Sequence, residues 1–164
     1  MTHNIWILDA SPVILLAKVG YAHLLLDLPA SCYIPQAVAE EIMRGPSHDP
    51  ARLFLEEGRV PIVEVPFLSS DVLAWNLGPG ETAVISYALA KPNATVILDD
   101  MAARKCAKSL GVRVKGTLGV VVLAKRKGLV PSAATIFRDL LAVGARFDDA
   151  LARYVLQQIG ERWD

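Results

Sequence analysis

The chain has 164 residues, 17 basic and 17 acidic side chains, and 53% hydrophobic residues. That length predicts one domain over residues 1–164, large enough to bury roughly 68–70% of its unfolded surface without disulfide staples. The apolar content excludes a disordered chain, and no apolar run approaches the ~20 residues of a membrane-spanning helix. The apolar start Ile5 to Leu8 meets Asp9 at once, which argues against a secretory signal. Cys32 and Cys106 read as buried thiols of a cytoplasmic protein. The net charge of zero hides an asymmetry: residues 101–130 hold eight basic residues and no Asp or Glu. A local patch of this kind is enough to attract a polyanion.

Ile5 to Leu8 is a short apolar run, read as a buried strand ending at Asp9. Ser11-Pro12 supplies an N-cap residue and a first-turn proline, predicting a helix to about Val19 that Gly20 stops. A second short helix is expected over Tyr21 to Leu28, a strand over Cys32 to Ile34, and a helix over Gln36 to Arg44 ended by Gly45-Pro46. Pro50 to Gly58 reads as helix, and Val60 to Val65 as a strand that Pro61 confines to an edge. A helix capped by Ser69 or Ser70 runs to about Asn76. Beyond the tight Gly78-Pro79-Gly80 loop, an apolar helix covers Glu81 to Lys91. Thr95 to Leu98 is a strand ending at Asp99-Asp100. Ala102 to Leu110 is a helix, Val112 to Val114 a strand, and Thr117 caps a helix to Lys127. Ser132 to Val143 and Phe147 to Ile159 close the chain as helices, with apolar stripes Ile136–Leu140–Val143 and Leu151–Val155–Ile159. Short, mostly unalternating apolar strands between helices are the pattern of a parallel sheet covered on both faces. The expected fold is a three-layer α/β/α domain with a short, mainly parallel sheet of four or five strands and extra C-terminal helices.

Ligands of such sheets bind beyond the carboxyl ends of the strands. Asp9 and Asp99-Asp100 stand at two of those ends, Glu40-Glu41 lies on the helix after the second strand, and Glu81 opens the helix after the Gly-Pro-Gly loop. Each also has a purely structural reading: Asp100 as a helix cap, Glu81 as a favourable first-turn charge, Glu40 and Glu41 as a solvated face. Asp9 is harder to explain that way, because Ser11 is there to fill the cap.

With these residues in view, the chain resembles a PIN domain. The resemblance is carried by Asp9-Ala10-Ser11-Pro12-Val13-Ile14, by Ile34-Pro35 followed by Val38 to Ile42, by Gly80 to Ala88, and by Val96 to Asp100 with the Leu110-Gly111-Val112 ending. Ala102-Ala103-Arg104 and Gly116-Thr117-Leu118-Gly119 point to a branch of mostly uncharacterised PIN-like proteins related to the toxins of type II toxin–antitoxin pairs. The resemblance covers a core of about residues 5–128 and leaves about 131–164 as a helical extension. It implies a metal-dependent ribonuclease. Asp9, Glu41, Glu81 and Asp100 match the catalytic and metal-binding acids, Glu41 better than Glu40. Asp99 is the adjacent candidate ligand, and Ser11 matches the small hydroxyl residue that supports the acids. Glu81 stands where the toxins usually have Asp, and Met101-Ala102-Ala103 follows where they often have an aromatic residue. The resemblance also implies an antitoxin partner and a homodimer.

Charge arithmetic leads to the same grouping. Two carboxylates about 4 Å apart repel by roughly 4 kcal/mol at an effective dielectric of 20, so four gathered together require a counter-charge. All-oxygen ligands select Mg²⁺ or Mn²⁺ over zinc, and His3, His23, His48 and the isolated cysteines offer no zinc spacing. The basic segment after Asp100, through Arg104, Lys105, Lys108 and Lys115, would hold the RNA backbone. Trp75 and Tyr87 are candidate stacking aromatics with a competing core reading, and Trp6 reads as core. A dehalogenase-type phosphatase needs a second Asp where Ser11 stands. A receiver domain wants its acidic pair after the first strand. Gly78-Pro79-Gly80 follows no strand and is too short for a nucleotide fingerprint. The alternative from another class is a PIN-like nucleic-acid-binding or partner-docking module without nuclease activity.

Overall fold

The computed structural model describes residues 4–164. His3, one of the histidines set aside above, lies outside the described residues. Five strands form one sheet: β1 (Ile5–Leu8), β2 (Ser31–Pro35), β3 (Ile62–Val63), β4 (Ala94–Ile97) and β5 (Arg113–Lys115). All pairings are parallel and the order is β3-β2-β1-β4-β5. β1 is central, with Trp6 between Cys32 of β2 and Thr95 of β4, and Trp6, Ile7 and Leu8 have no exposure to solvent. A strand buried on both faces must be apolar throughout, which is why Ile-Trp-Ile-Leu does not alternate. Helices flank the sheet, giving the three-layer α/β/α architecture.

The helices are α1 (Ala10–Lys18), α2 (Leu24–Asp27), α3 (Gln36–Met43), α4 (Pro50–Glu56), α5 (Ser70–Leu73), α6 (Pro79–Leu89), α7 (Met101–Ser109), α8 (Thr117–Arg126), α9 (Ala133–Ala142) and α10 (Asp149–Gln157). Most of the expected elements recur within a residue or two; five local expectations are corrected. The helix expected over Tyr21 to Leu28 is the single turn α2. β3 keeps only two residues of the expected strand, because Pro61 and Pro66 lack the N–H that a longer ladder requires. α1 begins one residue before the expected cap. Asp9 therefore holds the N-cap position without a side-chain capping bond, and Ser11 lies inside the helix. Likewise Gly116, not Thr117, precedes α8, and the Thr117 side chain is freed for another partner. Finally, Leu151 of the predicted α10 stripe is 47% exposed, while Ala152 and Leu156 are fully buried.

That last shift has a packing cause. Trp163 folds back into a cluster with Phe137 and Phe147, under the Arg138 guanidinium, and its indole N–H donates to Asp149 Oδ1 at 2.9 Å. Glu161 accepts from the amides of Ala133 and Ala134 at 2.9 Å and from Ser132 Oγ at 3.2 Å, so it satisfies the orphan donors at the start of α9. Burial would raise its carboxyl, but these hydrogen bonds and Lys125 hold it below the ordinary range. Ile136, Phe137, Leu140, Ala152, Leu156 and Trp163 join the same hydrophobic core as the strands. Both cysteines are free and buried, and burial pushes the Cys32 thiol up to about 11. Among the described residues no helix is long and apolar enough to cross a membrane.

Candidate active site

Three helices start at the carboxyl ends of neighbouring strands and a fourth joins them there. α1 follows β1 through Asp9, α7 follows β4 through Asp99-Asp100, α8 follows β5 through Gly116, and α6 approaches from the side. A helix N-terminus carries unsatisfied N–H groups and a partial positive charge, so it favours nearby carboxylates. That local field explains how an acidic cluster is assembled at all.

Asp9 is 5% exposed. Its backbone N–H donates to the Ile97 carbonyl, fixing it beside the end of β4. Burial, with the charges of Glu81, Glu41 and Asp99, raises its carboxyl to about 7, against an opposing pull from the Ala10 amide. Glu41 enters from α3. A methyl group at Gly80 would lie 3.3 Å from Val38 Cγ2, 3.5 Å from Asp9 Oδ1 and 3.8 Å from Glu41 Oε2. Residue 80 is thus the point where α6 crosses α3 against the acids, and any side chain there would press between two carboxylates. Glu40 lies one helix step from Glu41, about 100° around the axis. It accepts from Gln36 Nε2 at 3.4 Å and lines a separate groove with Glu64. Glu81, in the first turn of α6, is half-buried. Burial, Asp100 and Glu41 raise its carboxyl, and the Gly78 amide pulls it back.

The adjacent acids Asp99 and Asp100 have different surroundings. Asp99 Oδ2 accepts from Ser11 Oγ at 3.0 Å and Thr117 Oγ1 at 2.7 Å, and its Oδ1 accepts from the Thr117 amide at 2.8 Å. Asp100 is the N-cap of α7, with Oδ2 accepting from the Ala103 amide at 3.0 Å, and its charge bears on Glu81. Asp100→Ala is therefore expected to lower stability by about 1 kcal/mol, and Asp100→Asn, which still caps, by no more than a few tenths. Urea unfolding of the two variants checks this; equal stabilities would show that the cap contributes nothing.

The structure thus puts Glu41, Glu81 and Asp99 within reach of the Asp9 charge and Asp100 within reach of Glu81, with Ser11 on Asp99. It divides the basic residues. Arg104 reaches back so that Nη1 donates to the Leu98 carbonyl at 3.2 Å, and it flanks Gly116 opposite Asp99. Lys105 is exposed on α7. Lys108 and Lys115 face a separate cleft beside β5. Trp75 is exposed, Tyr87 packs on Tyr33 beneath Lys91, and Trp6 is core. Sequence reasoning missed Thr117 as a holder of Asp99, because a threonine at a helix start reads as a cap. It also missed Gly80 and Gly116 as points of close approach, for which one sequence carries no signal.

A PIN-domain family model, described as DUF3368, matches residues 5–161. The chain belongs to the PIN-domain family. The match takes in α9 and α10 as well as the sheet. PIN domains are generally nucleases and typically use divalent metals. No curated protein matches this chain.

The donors present suit a hard divalent cation. All are oxygens, and among the described residues none of the five carboxylates takes part in an ion pair. Asp9 is raised first by burial and further by the neighbouring acids, so added positive charge would relieve it. Among the described residues no three of His, Cys, Asp and Glu are already drawn together to hold an ion. Asp9, Glu41, Glu81 and Asp100, with Asp99 as the adjacent candidate, are the residues that could hold a cation here.

Proposed function

We propose that this PIN-domain protein is an endoribonuclease that hydrolyses RNA phosphodiester bonds with Mg²⁺ or Mn²⁺. The observation that carries the reading is a set of five carboxylates, three at the ends of β1 and β4 and two from α3 and α6, with no ion-pair partner among the described residues, one of them buried and raised to about 7. Such a set is unfavourable in isolation and favourable around a divalent cation. When bound, the cation supplies the charge that acidifies an attacking water and offsets negative charge building on the phosphate. RNA as substrate, and an antitoxin and a second copy as partners, rest on the resemblance to the toxin branch.

The chain's own groups divide the remaining work. Ser11 and Thr117 fix the Asp99 carboxylate in one orientation, so that little ordering is left to the moment of reaction. Glu41 and Glu81 would hold the cation directly or through water, and one of them would orient the attacking water. Arg104, beside Gly116 near Asp99, would meet a phosphate oxygen with its guanidinium. Lys105 adds sequence-independent charge at the rim, which makes binding salt-dependent.

Incubation of a labelled RNA with the purified protein tests this. Cleavage is expected with Mg²⁺ or Mn²⁺, none in chelator, and a loss in Asp9→Asn and Glu81→Gln at least as large as the roughly 10–100-fold that follows removal of groups supporting a metal's ligands. RNA bound without cleavage under any divalent ion would sink the proposal and favour a binding module.

A further inference from the structure

β5, the end of α7 and the middle of α8 border an open cleft of about 640 Å³. Lys108, Arg113 and Lys115 line it with Asn93, Thr95 and Trp6, and none of its lining residues is acidic. Among the described residues none of the three cations is in an ion pair. Arg113 Nη2 makes one long contact, 3.4 Å to Asn93 Oδ1. Lys115 lies along α8 where a methyl group on Gly119 would come within 2.8 Å of its Cγ. Burial and the Arg126 charge hold its ammonium below the ordinary range. The register aligns Trp6, Thr95 and Arg113 across β1, β4 and β5, so their side chains share one face of the sheet. Trp6 is fully buried and its indole N–H has no acceptor among the described residues.

We propose that this cleft binds a phosphate-bearing anion of nucleotide size. Three uncompensated cations exceed what one carboxylate would neutralise, and an arginine fork beside two ammonium groups suits the several oxygens of a phosphate. The volume lies within the ~300–1,000 Å³ of small-molecule sites, too roomy for a lone phosphate ion. Asn4 and Asn93, which precede β1 and β4, border the cleft, whereas the acids follow those strands. The phosphate can come from a free nucleotide or from a strand that also reaches the acids. The proposal does not depend on nuclease activity, so it is tested in Asp9→Asn protein with chelator, where RNA survives.

The probes are pyrophosphate, adenosine 5′-monophosphate and a short RNA, titrated in about 150 mM salt so that long-range attraction is screened. Saturable binding of at least one probe is expected. Joint Lys108→Glu and Arg113→Glu, both at exposed residues, should weaken it about tenfold or more, while Lys18→Glu and Arg44→Glu elsewhere on the surface should stay within about twofold. Pyrophosphate that displaces RNA assigns the cleft to the strand, and pyrophosphate bound alongside RNA assigns it to a free nucleotide; either supports the proposal. No saturable binding of any probe, or equal weakening by the control reversals, would overturn it.

Discussion

Asp9→Asn is expected to stabilise the metal-free protein at pH 8 while removing its activity. The Asp9 carboxyl titrates near 7 in the fold, against 3.8 for an ordinary aspartate. Between those values the folded chain binds a proton that the unfolded chain has released, so folding loses stability as pH rises from about 4 through about 7. At about 1.4 kcal/mol per pH unit, the loss is on the order of 4 kcal/mol. Glu81, raised for similar reasons, adds in the same direction. Glu161, lowered by its hydrogen bonds, acts oppositely, contributing stability above its unfolded range and losing it on acidification, below the window that Asp9 controls. Asparagine mimics the protonated form, so the variant should hold its stability from pH 5 to pH 8 while the wild type falls, an interval set by the Asp9 shift. Mg²⁺ or Mn²⁺ should restore the wild type at pH 8 and do little for the variant. Urea melts across that range, with chelator and with metal, decide the matter. A wild type whose metal-free stability is flat from pH 5 to pH 8 would mean that Asp9 ionises without penalty, and the case for a cation at this site would fail.

How much of this was legible in the sequence depends on the range of the interaction involved. The unalternating run Ile5 to Leu8 announces a strand buried on both faces, and the Gly and Pro residues around it mark where helices stop, because those signals act over a few residues. The sequence also placed Asp9 and Asp99 at strand ends, where an α/β sheet binds ligands. It favoured Asp100 over Asp99 without seeing that Asp99 is the one held in place, since that depends on Thr117, 18 residues beyond Asp99. The cap at α1 was misplaced by two residues, Ser11 for Asp9, for a related reason: Ser11 looks like a cap locally, but its hydroxyl donates to Asp99, 88 residues away. The split of the basic residues between acids and cleft was equally hidden, because β5 and α7 turn Lys108 and Lys115 away from Arg104. The Leu151 stripe failed because Trp163 folds back onto Phe137 and decides which side of α10 is covered.

Asp99→Ala should change stability in the opposite direction to Asp9→Asn, although both remove a carboxylate from one cluster. Asp99 is the common acceptor for Ser11 Oγ, the Thr117 amide and Thr117 Oγ1, and Thr117 is only 3% exposed. Deleting the acceptor strands buried donors, each at about 1–3 kcal/mol when water cannot replace the partner. Partial access of water on the Ser11 side lowers the sum, and a net loss of about 3 kcal/mol is expected, with α8 loosened at its first turn. Asp99→Asn keeps one oxygen for the Thr117 amide and offers an NH₂ that the hydroxyls accept from only by reversing, so it should lose about 1 kcal/mol. Thr117→Val separates support from charge, since it leaves the carboxylate in place and removes one of its hydroxyl donors. Activity should fall in all three, but added Mn²⁺ should rescue Thr117→Val alone, where the acid is present but poorly oriented. Denaturant unfolding and metal titrations of RNA cleavage measure the two effects separately. Asp99→Ala as stable as the wild type would mean that Ser11 and Thr117 do not depend on Asp99, and the positioning role given to them would be lost.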